Sequence, residues 1–333
     1  MSFKVVSGIG GGRDIEEQFA RVDAELVLAP VWTEEDIIRS AGEADAVMVG
    51  ATEPYTRRVV KKLARCRVIS RTGVGYNNID VEAATEEGIA VAIVPDASID
   101  EVSDHAIAFL LAFSRKLIPV DRAVRQGAWQ LGRREIFEIR RPMFRLSEQT
   151  CGVVGAGRIG GAFIRKARAF GISVIVHDPY LSEEAIREKG GEKVDLEQLV
   201  RESDFISLHC PANDETRRMF GAEEFKKMKP SSCIINTGRG DLIDERALYE
   251  ALTAGEIAGA GLDVTDPEPP DSANPLLQLD NVIVTAHSAF YSEKSLMVLR
   301  QRTVDAAIAA LRGEWPRDLA NPEVRQKANH RIR

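Results

Sequence analysis

The chain has 333 residues, of which 44% are hydrophobic and 29% charged, and its formal net charge is −7. This composition is typical of a globular protein with room for two ordinary domains, and the acidic balance argues against a nucleic-acid-binding surface. No apolar run approaches the roughly 20 residues of a membrane span. Residues 1–4 enter a strand-like run without a signal-peptide pattern, so we expect a cytoplasmic protein.

Short apolar runs alternate with helix-like segments through the first third of the chain. Strands are predicted at 3–6, 26–29, 46–49, 68–69 and 89–94, and helices at 16–22, 34–41, 55–64 and 81–87. Such alternation indicates βαβ units and a parallel sheet. A long helix is predicted at 98–116, which Ser98 can cap in a capping box with Glu101.

A second alternating series begins at Cys151. Its strands are predicted at 153–154, 174–176, 205–208, 233–236, 258–263 and 282–285, and a long helix follows at 293–311. Two such series predict an α/β protein with two doubly wound parallel-sheet domains. The Arg-rich segment 133–145 lies between the two series; we interpret it as an arm that packs on a partner subunit, with a site for a second anionic substrate group as the alternative.

The four cysteines, Cys66, Cys151, Cys210 and Cys233, lie far apart in apolar contexts, and no CxxC pair is present. This spacing favours buried reduced thiols and suggests neither a zinc site nor a redox pair, so no metal is expected.

A glycine-rich fingerprint stands at the start of the second series, where Gly155, Gly157 and Gly160 follow a predicted strand and open a predicted helix. The first glycine permits a tight turn, the second lets a pyrophosphate approach the backbone, and the third lets helix pack on strand. Asp178 ends the next strand, where it would bind an adenosine ribose and repel a ribose phosphate, which favours NAD over NADP. The glycine runs at 8–13 and 73–78 begin the same pattern but lack its last glycine.

Titratable residues follow three later strands of the second series. Arg239 follows 233–236, Asp263 ends 258–263 with Glu268 five residues later, and His287 follows 282–285. Ligands bind at the carboxyl edge of open α/β sheets. Each residue alone has a simpler interpretation, such as a solvated loop for Arg239 or a buried structural histidine for His287; their joint occurrence behind one complete fingerprint favours catalysis.

These side chains suit the reduction of a 2-oxoacid. Arg239 can bridge the carboxylate and carbonyl oxygens with its fixed fork of donors. His287 can deliver the proton, and Glu268 beside it would raise the pKa of the imidazole and orient the ring. Asp263 can accept a hydrogen bond from the nicotinamide carboxamide.

At these motifs the chain resembles the D-isomer-specific 2-hydroxyacid dehydrogenase family. The resemblance implies a flavodoxin-like substrate-binding domain at 1–102 plus 291–333 and an inserted Rossmann NAD domain at 103–290, through which a homodimer forms. It places catalysis on Arg239, Glu268 and His287. Its cofactor positions fall on Gly155, Gly157, Arg158, Ile159, Gly160, Asp178, Cys210, Pro211, Thr216, Thr237 and Asp263. Its substrate-carboxylate loop falls on 71–75, where the N–H groups of Val74 and Gly75 would meet the carboxylate.

Within the family the chain is similar to the branch of the C-terminal-binding protein corepressors and their bacterial relatives. In that branch Arg71 would add an ion pair to the substrate carboxylate. Two departures stand out, since Ala286 replaces the usual proline before the histidine and Phe290 replaces the branch's usual tryptophan. Phe290 is expected to line the substrate pocket. Two alternatives to an NAD-dependent dehydrogenase remain, an NAD(H)-sensing binding protein with little turnover and an NAD enzyme of different chemistry, such as a formate or phosphite dehydrogenase.

Overall fold

A computed structural model describes residues 2–130 and 134–333 of the chain. The chain divides into two compact units, Met1–Ala97 with Ser292–Arg333, and Ser98–Tyr291. Each unit is built around its own parallel β-sheet, which confirms the predicted pair of doubly wound α/β domains.

The first unit contains a five-stranded sheet. Its strands and helices are, in chain order, β1 (Phe3–Ser7), α1 (Arg13–Ala20), β2 (Ala24–Leu28), α2 (Glu34–Ala41), β3 (Ala46–Val49), α3 (Arg57–Val60), β4 (Val68–Arg71), α4 (Val81–Glu86) and β5 (Ala90–Ala92). The strand order is β2-β1-β3-β4-β5 and every pairing is parallel, which is the predicted flavodoxin-like arrangement.

The second unit contains a seven-stranded parallel sheet. Its elements are α5 (Ile99–Ser114), α6 (Leu117–Arg125), α7 (Glu135–Ile139), β6 (Thr150–Val154), α8 (Arg158–Ala169), β7 (Ser173–His177), α9 (Glu183–Lys189), β8 (Glu192–Lys193), α10 (Leu196–Glu202), β9 (Phe205–Leu208), α11 (Ala222–Lys227), β10 (Cys233–Asn236), α12 (Glu245–Ala254), β11 (Gly259–Leu262) and β12 (Val282–Val284). The order β12-β11-β10-β9-β6-β7-β8 reverses between β6 and β9, as in a Rossmann fold. The chain then returns to the first unit as α13 (Glu293–Leu311). Short 3₁₀ helices lie at Leu146–Glu148, Gly240–Leu242, Pro275–Gln278 and Pro322–Gln326.

Apolar side chains cover both faces of each sheet. In the first sheet, Val47 packs in one hydrophobic cluster, whereas its neighbour Met48 packs in another together with Val304 of α13. All four residues of β3 and all four of β10 are buried. Strands covered by helices on both faces are continuous apolar runs in the sequence, and such runs allowed these strands to be predicted.

Two local predictions were wrong. The helix expected at 55–64 shortens to α3, because Tyr55 is buried and pairs with Ile79 in an isolated β-bridge instead of entering the helix. Ser98 precedes α5 as expected, but its side chain makes no capping hydrogen bond; its ψ of 27° lies outside the extended region that a capping serine normally adopts.

The cysteines are all free of disulfide bonds, and three of them are buried while Cys210 is half-buried. Burial raises the pKa of Cys66 and Cys233 to about 12, so both stay protonated thiols near neutral pH. In the described part of the chain no helix combines the length and apolarity that a membrane crossing needs. Residues 2–130 and 134–333 contain no cluster of His, Cys, Asp and Glu side chains that could hold a metal ion.

Candidate active site

The glycine-rich turn lies at the switch point of the second sheet, between the end of β6 and the start of α8. Gly155 has a φ of +86°, and a Cβ there would lie 2.7 Å from the backbone nitrogen of Cys210. A Cβ on Gly160 would lie 2.1 Å from the carbonyl oxygen of Gly155. A side chain at either position would therefore push the turn away from the neighbouring backbone. Around Gly157 nothing lies within 4 Å of a Cβ position, so a phosphate group can approach that backbone.

Asp178 lies directly after β7 and beside this turn. It is 9% exposed, and its carboxylate accepts the N–H of Ala156 at 2.9 Å and the N–H of Tyr180 at 3.0 Å. The turn and the acid are thus held together by hydrogen bonds.

Other predicted cofactor positions surround the turn. Arg158 and Ile159 are the first two residues of α8, whose N-terminus carries the positive end of the helix dipole. Cys210 and Pro211 follow β9, and the Thr216 hydroxyl donates to the Pro211 carbonyl at 2.7 Å. The hydroxyl of Thr237 is buried without a hydrogen-bond partner among the described residues.

This set of residues fits a dinucleotide. A buried hydroxyl without a partner is costly unless a ligand completes it, and Thr237 is such a group. Together with the open backbone at Gly157 and the acid at the end of β7, it gives the second unit the elements of a dinucleotide site.

Glu268 and His287 are in direct contact. The Nδ1 atom of His287 lies 2.5 Å from Oε1 of Glu268, and both side chains are between one quarter and one third exposed. The histidine has a φ of +48°, in the left-handed region that non-glycine residues rarely adopt. A carboxylate on Nδ1 fixes the ring and leaves Nε2 to exchange a proton with a ligand.

Arg239 follows β10 and is half-buried. Burial lowers the pKa of its guanidinium, while the negative charges of Glu268 and Asp241 act in the opposite direction. Gly240 lets the arginine loop lie against the backbone of Thr265, because a Cβ there would be 2.1 Å from the Thr265 carbonyl. The structure therefore brings Arg239, Glu268 and His287 to the same edge of the second sheet.

Asp263 has a set of partners that the sequence did not reveal. It is 2% exposed, and Oδ1 accepts the Thr285 hydroxyl at 2.5 Å and the Ser288 N–H at 2.9 Å, while Oδ2 accepts the Ala289 N–H at 3.0 Å. The His287 N–H donates to the Asp263 carbonyl at 2.8 Å. Asp263 therefore holds both sides of the loop that carries the histidine.

Two further histidines were not anticipated. His105 of α5 lies 3.0 Å from the Thr285 hydroxyl and so extends the Asp263 network. His209 lies half-buried behind the glycine turn, with Nε2 2.9 Å from the Ser207 hydroxyl and its ring 5.0 Å from that of Phe163. Burial lowers the pKa of His209 to about 3, so its ring is neutral in the folded protein. Its position directly after β9 was the available signal, but sequence alone could not show its burial.

The predicted substrate residues lie in both units. Phe290 makes an edge-on contact with His287, with ring centroids 6.2 Å apart. In the first unit Arg71 is the last residue of β4 and is 6% exposed. The N–H groups of Val74 and Gly75 donate to no other described residue, which leaves them available to an anion.

The Arg-rich segment is described from Arg134 onward, and Arg133 lies outside the described residues. Arg140 stacks over the ring of Phe137, and Arg141 and Arg145 lie within ion-pair distance of Glu138 and Glu148. These arginines therefore have partners in the segment or within three residues of its end.

Comparison with known proteins identifies the class. Residues 107–289, more than half of the chain, match the family described as "D-isomer specific 2-hydroxyacid dehydrogenase, NAD binding domain". The glyoxylate reductase of Korarchaeum cryptofilum is 38% identical over 288 residues, 86% of each chain. The D-3-phosphoglycerate dehydrogenase of Methanocaldococcus jannaschii is 39% identical over 305 residues, which are 91% of this chain and 57% of that protein. The structure of a D-lactate dehydrogenase from Aquifex aeolicus, complexed with NAD and lactic acid, gives a TM-score of 0.81 at 28% identity and covers 93% of this chain and 96% of that one.

The chain therefore belongs to the D-isomer-specific 2-hydroxyacid dehydrogenase family. It is an NAD-dependent oxidoreductase, and its cofactor is NAD. The narrower similarity to the C-terminal-binding protein branch is tested by none of these comparisons and stays a prediction.

Proposed function

We propose that the protein reduces a small 2-oxoacid to the corresponding D-2-hydroxyacid with NADH, and catalyses the reverse oxidation with NAD. The contact between His287 and Glu268 carries the proposal, since it joins a proton donor to a carboxylate at the sheet edge where ligands bind. Bound NADH supplies the hydride, and the protein supplies the proton and the orientation of the acid.

His287 is the proton donor in this mechanism. Glu268 accepts the Nδ1 proton, which keeps Nε2 available to protonate the carbonyl oxygen as it gains negative charge. The carboxylate also stabilises the positively charged imidazolium by direct Coulomb attraction. Glu268 is therefore a positioning residue that acts through His287.

Arg239 anchors the substrate. Its guanidinium can donate to the carboxylate and the carbonyl oxygen at once, because two of its N–H groups are parallel. Its half-buried position strengthens such bonds, since the surrounding protein screens charge less than water does.

The substrate is a small acid whose side chain meets Phe290. The contact of Phe290 with the His287 ring supports this role, because a group beside the proton donor also lies beside the reacting carbon. The relatives named above act on acids of this class, including glyoxylate and lactate in their own names.

The functional form is a homodimer assembled through the NAD-binding unit. Large apolar side chains are exposed from the start of α6 to the start of β6, namely Leu117 (56%), Ile118 (39%), Trp129 (81%), Phe137 (57%) and Phe144 (49%). Large exposed apolar side chains concentrated in one stretch of chain support a protein–protein interface there. The arm predicted at 133–145 contributes Phe137 and Phe144 to it.

The test is NADH oxidation with a panel of 2-oxoacids, from glyoxylate through pyruvate and hydroxypyruvate to branched, aromatic and dicarboxylic acids. For every acid except glyoxylate, whose product is achiral, chiral chromatography of the product is expected to give the D-enantiomer. NADH binding without turnover on any acid would contradict the proposal and favour the NAD(H)-sensing alternative, and an L-product would refute the assigned stereochemistry.

A further inference from the structure

A pocket of about 370 Å³ opens beside the glycine-rich turn of the NAD-binding unit. Arg158, Asp178 and Lys189 are its charged lining residues. Asp178 alone would repel a phosphate on the adenosine ribose, but the other two side chains would attract one. The pocket thus contains one charge that disfavours binding of NADP and two charges that favour it.

Lys189 has no evident role in the fold. It is the last residue of α9 and is half-buried, and no described residue accepts a hydrogen bond or forms an ion pair with its ammonium group. Lysines at helix ends usually remain in water or bind a carboxylate. The ammonium therefore has no anionic partner within the described residues that would compete with a bound phosphate.

The position of this ammonium is also unfavourable with respect to α8. A Cβ on Gly161, in the first turn of α8, would lie 3.6 Å from Nζ of Lys189. The N-terminus of a helix carries partial positive charge, so it repels a nearby cation. Arg158, the first residue of α8, adds a further cation, and among the described residues it too lacks a carboxylate partner.

The charge of Asp178, in contrast, is partly compensated. Its two oxygens each accept one backbone N–H, from Tyr180 and Ala156. These bonds fix the carboxylate at the mouth of the turn, and they spread its negative charge over two peptide dipoles. The single negative charge of Asp178 is therefore opposed by the positive charges of Arg158 and Lys189 and by the N-terminus of α8.

We propose that Lys189 is a binding residue for a phosphate on the adenosine ribose, so that exclusion of NADP(H) depends on the Asp178 carboxylate alone. The inference rests on the proposed placement of the ribose at Asp178. Because of Lys189, the wild-type protein binds the 2′-phosphorylated nucleotide with measurable affinity. Removal of the Asp178 charge turns the same pocket into an NADP(H) site without any added cation.

The experiment compares two nucleotides that differ only in the 2′-phosphate, adenosine 5′-monophosphate and adenosine 2′,5′-bisphosphate. Their dissociation constants are measured by titration calorimetry on the full-length wild-type protein and on D178N, K189M and D178N/K189M. Arg187→Met is the matched control, because Arg187 lies on the same helix and is exposed.

D178N is expected to tighten binding of the bisphosphate by about tenfold to a hundredfold, the usual range for one charge-assisted contact. K189M is expected to weaken bisphosphate binding by about tenfold in either background. Binding of the monophosphate should change less than about threefold in K189M, and R187M should match the wild type. If K189M weakens both nucleotides equally, or neither, the assignment of Lys189 is overturned.

The nucleotide titrations also distinguish failure of the Lys189 proposal from failure of the proposed function. If the wild-type protein binds neither nucleotide, the proposed adenosine site itself is wrong. If the monophosphate binds and only the Lys189 effect is missing, the proposed function stands and the phosphate site fails. Should D178N unfold, the comparison of K189M with the wild type still decides the question.

Discussion

Asp263 holds the loop that carries the proposed proton donor, and its substitution by asparagine gives the most informative prediction. The carboxylate accepts three hydrogen bonds, from Thr285, Ser288 and Ala289, on both sides of His287. An amide has a single acceptor oxygen, so at least one of these buried donors loses its partner and faces an NH₂ group instead. An unsatisfied buried donor costs about 1–3 kcal/mol.

Loss of a hydrogen bond from Asp263 also affects the position of His287. His287 keeps a left-handed backbone only while the surrounding hydrogen bonds hold it there. We expect D263N to lower kcat by about tenfold to a hundredfold, since each 1.4 kcal/mol of lost positioning corresponds to about tenfold in rate. The assay is NADH oxidation with the best 2-oxoacid at saturation, together with a fluorescence titration of NADH binding.

A matched control separates positioning from stability. Asp204 in the same unit is also largely buried, and it accepts the Thr150 N–H at 2.8 Å and Lys229 at 2.9 Å, but it lies at the amino edge of the sheet. D204N should lose comparable stability and keep its kcat. Equal kcat losses in D263N and D204N, or an unchanged kcat in D263N, would refute the reasoning. A weakened NADH affinity in D263N with normal kcat would instead assign Asp263 to the nicotinamide, as the sequence suggested.

Further predictions concern the substrate anchor, acid stability and assembly. Arg239→Met should lower kcat/KM by about a hundredfold or more while NADH binding is retained, because two charge-assisted hydrogen bonds are lost; the exposed Arg217→Met is the control in steady-state assays. The pKa of His209 is near 6.5 in the unfolded chain, and burial lowers it to about 3 in the folded protein. Because the unfolded state therefore binds the proton more readily, the free energy of unfolding falls as the pH drops below 6.5. Urea unfolding should show about 2 kcal/mol of this loss between pH 7 and pH 5, and H209Q should lack it; an equal loss in H209Q would contradict the assignment. Trp129→Ser with Phe137→Ser should halve the mass measured by light scattering, whereas Trp32→Ser, 70% exposed in the first unit, should not.

The sheet topology was predictable because it follows from local patterns. Buried strands such as β3 and β10 are continuous apolar runs in the sequence, and the glycines of the turn mark the switch point. Where a residue's conformation depended on the tertiary environment, the prediction was less successful. Tyr55 looked helical by composition, but its side chain is buried beside a β-bridge to Ile79.

The same limit applies to the site. Glu268 and His287 could be predicted as a pair from chemistry, because each follows a strand of one sheet and their roles are complementary. The partners of Asp263 could not be predicted, since two of them are backbone N–H groups whose direction depends on the path of the loop. The position of Lys189 beside α8 also depends on tertiary packing, so it became visible only in the structure.

The most direct test of the central claim compares the wild-type protein with His287→Ala in NADH oxidation by the best 2-oxoacid. The account predicts that turnover falls by about 10²–10⁴-fold, the usual contribution of a general acid, while the dissociation constant of NADH in a fluorescence titration stays the same. An H287A variant that reduces the acid at close to the wild-type rate would contradict the role of His287 and the mechanism built on it.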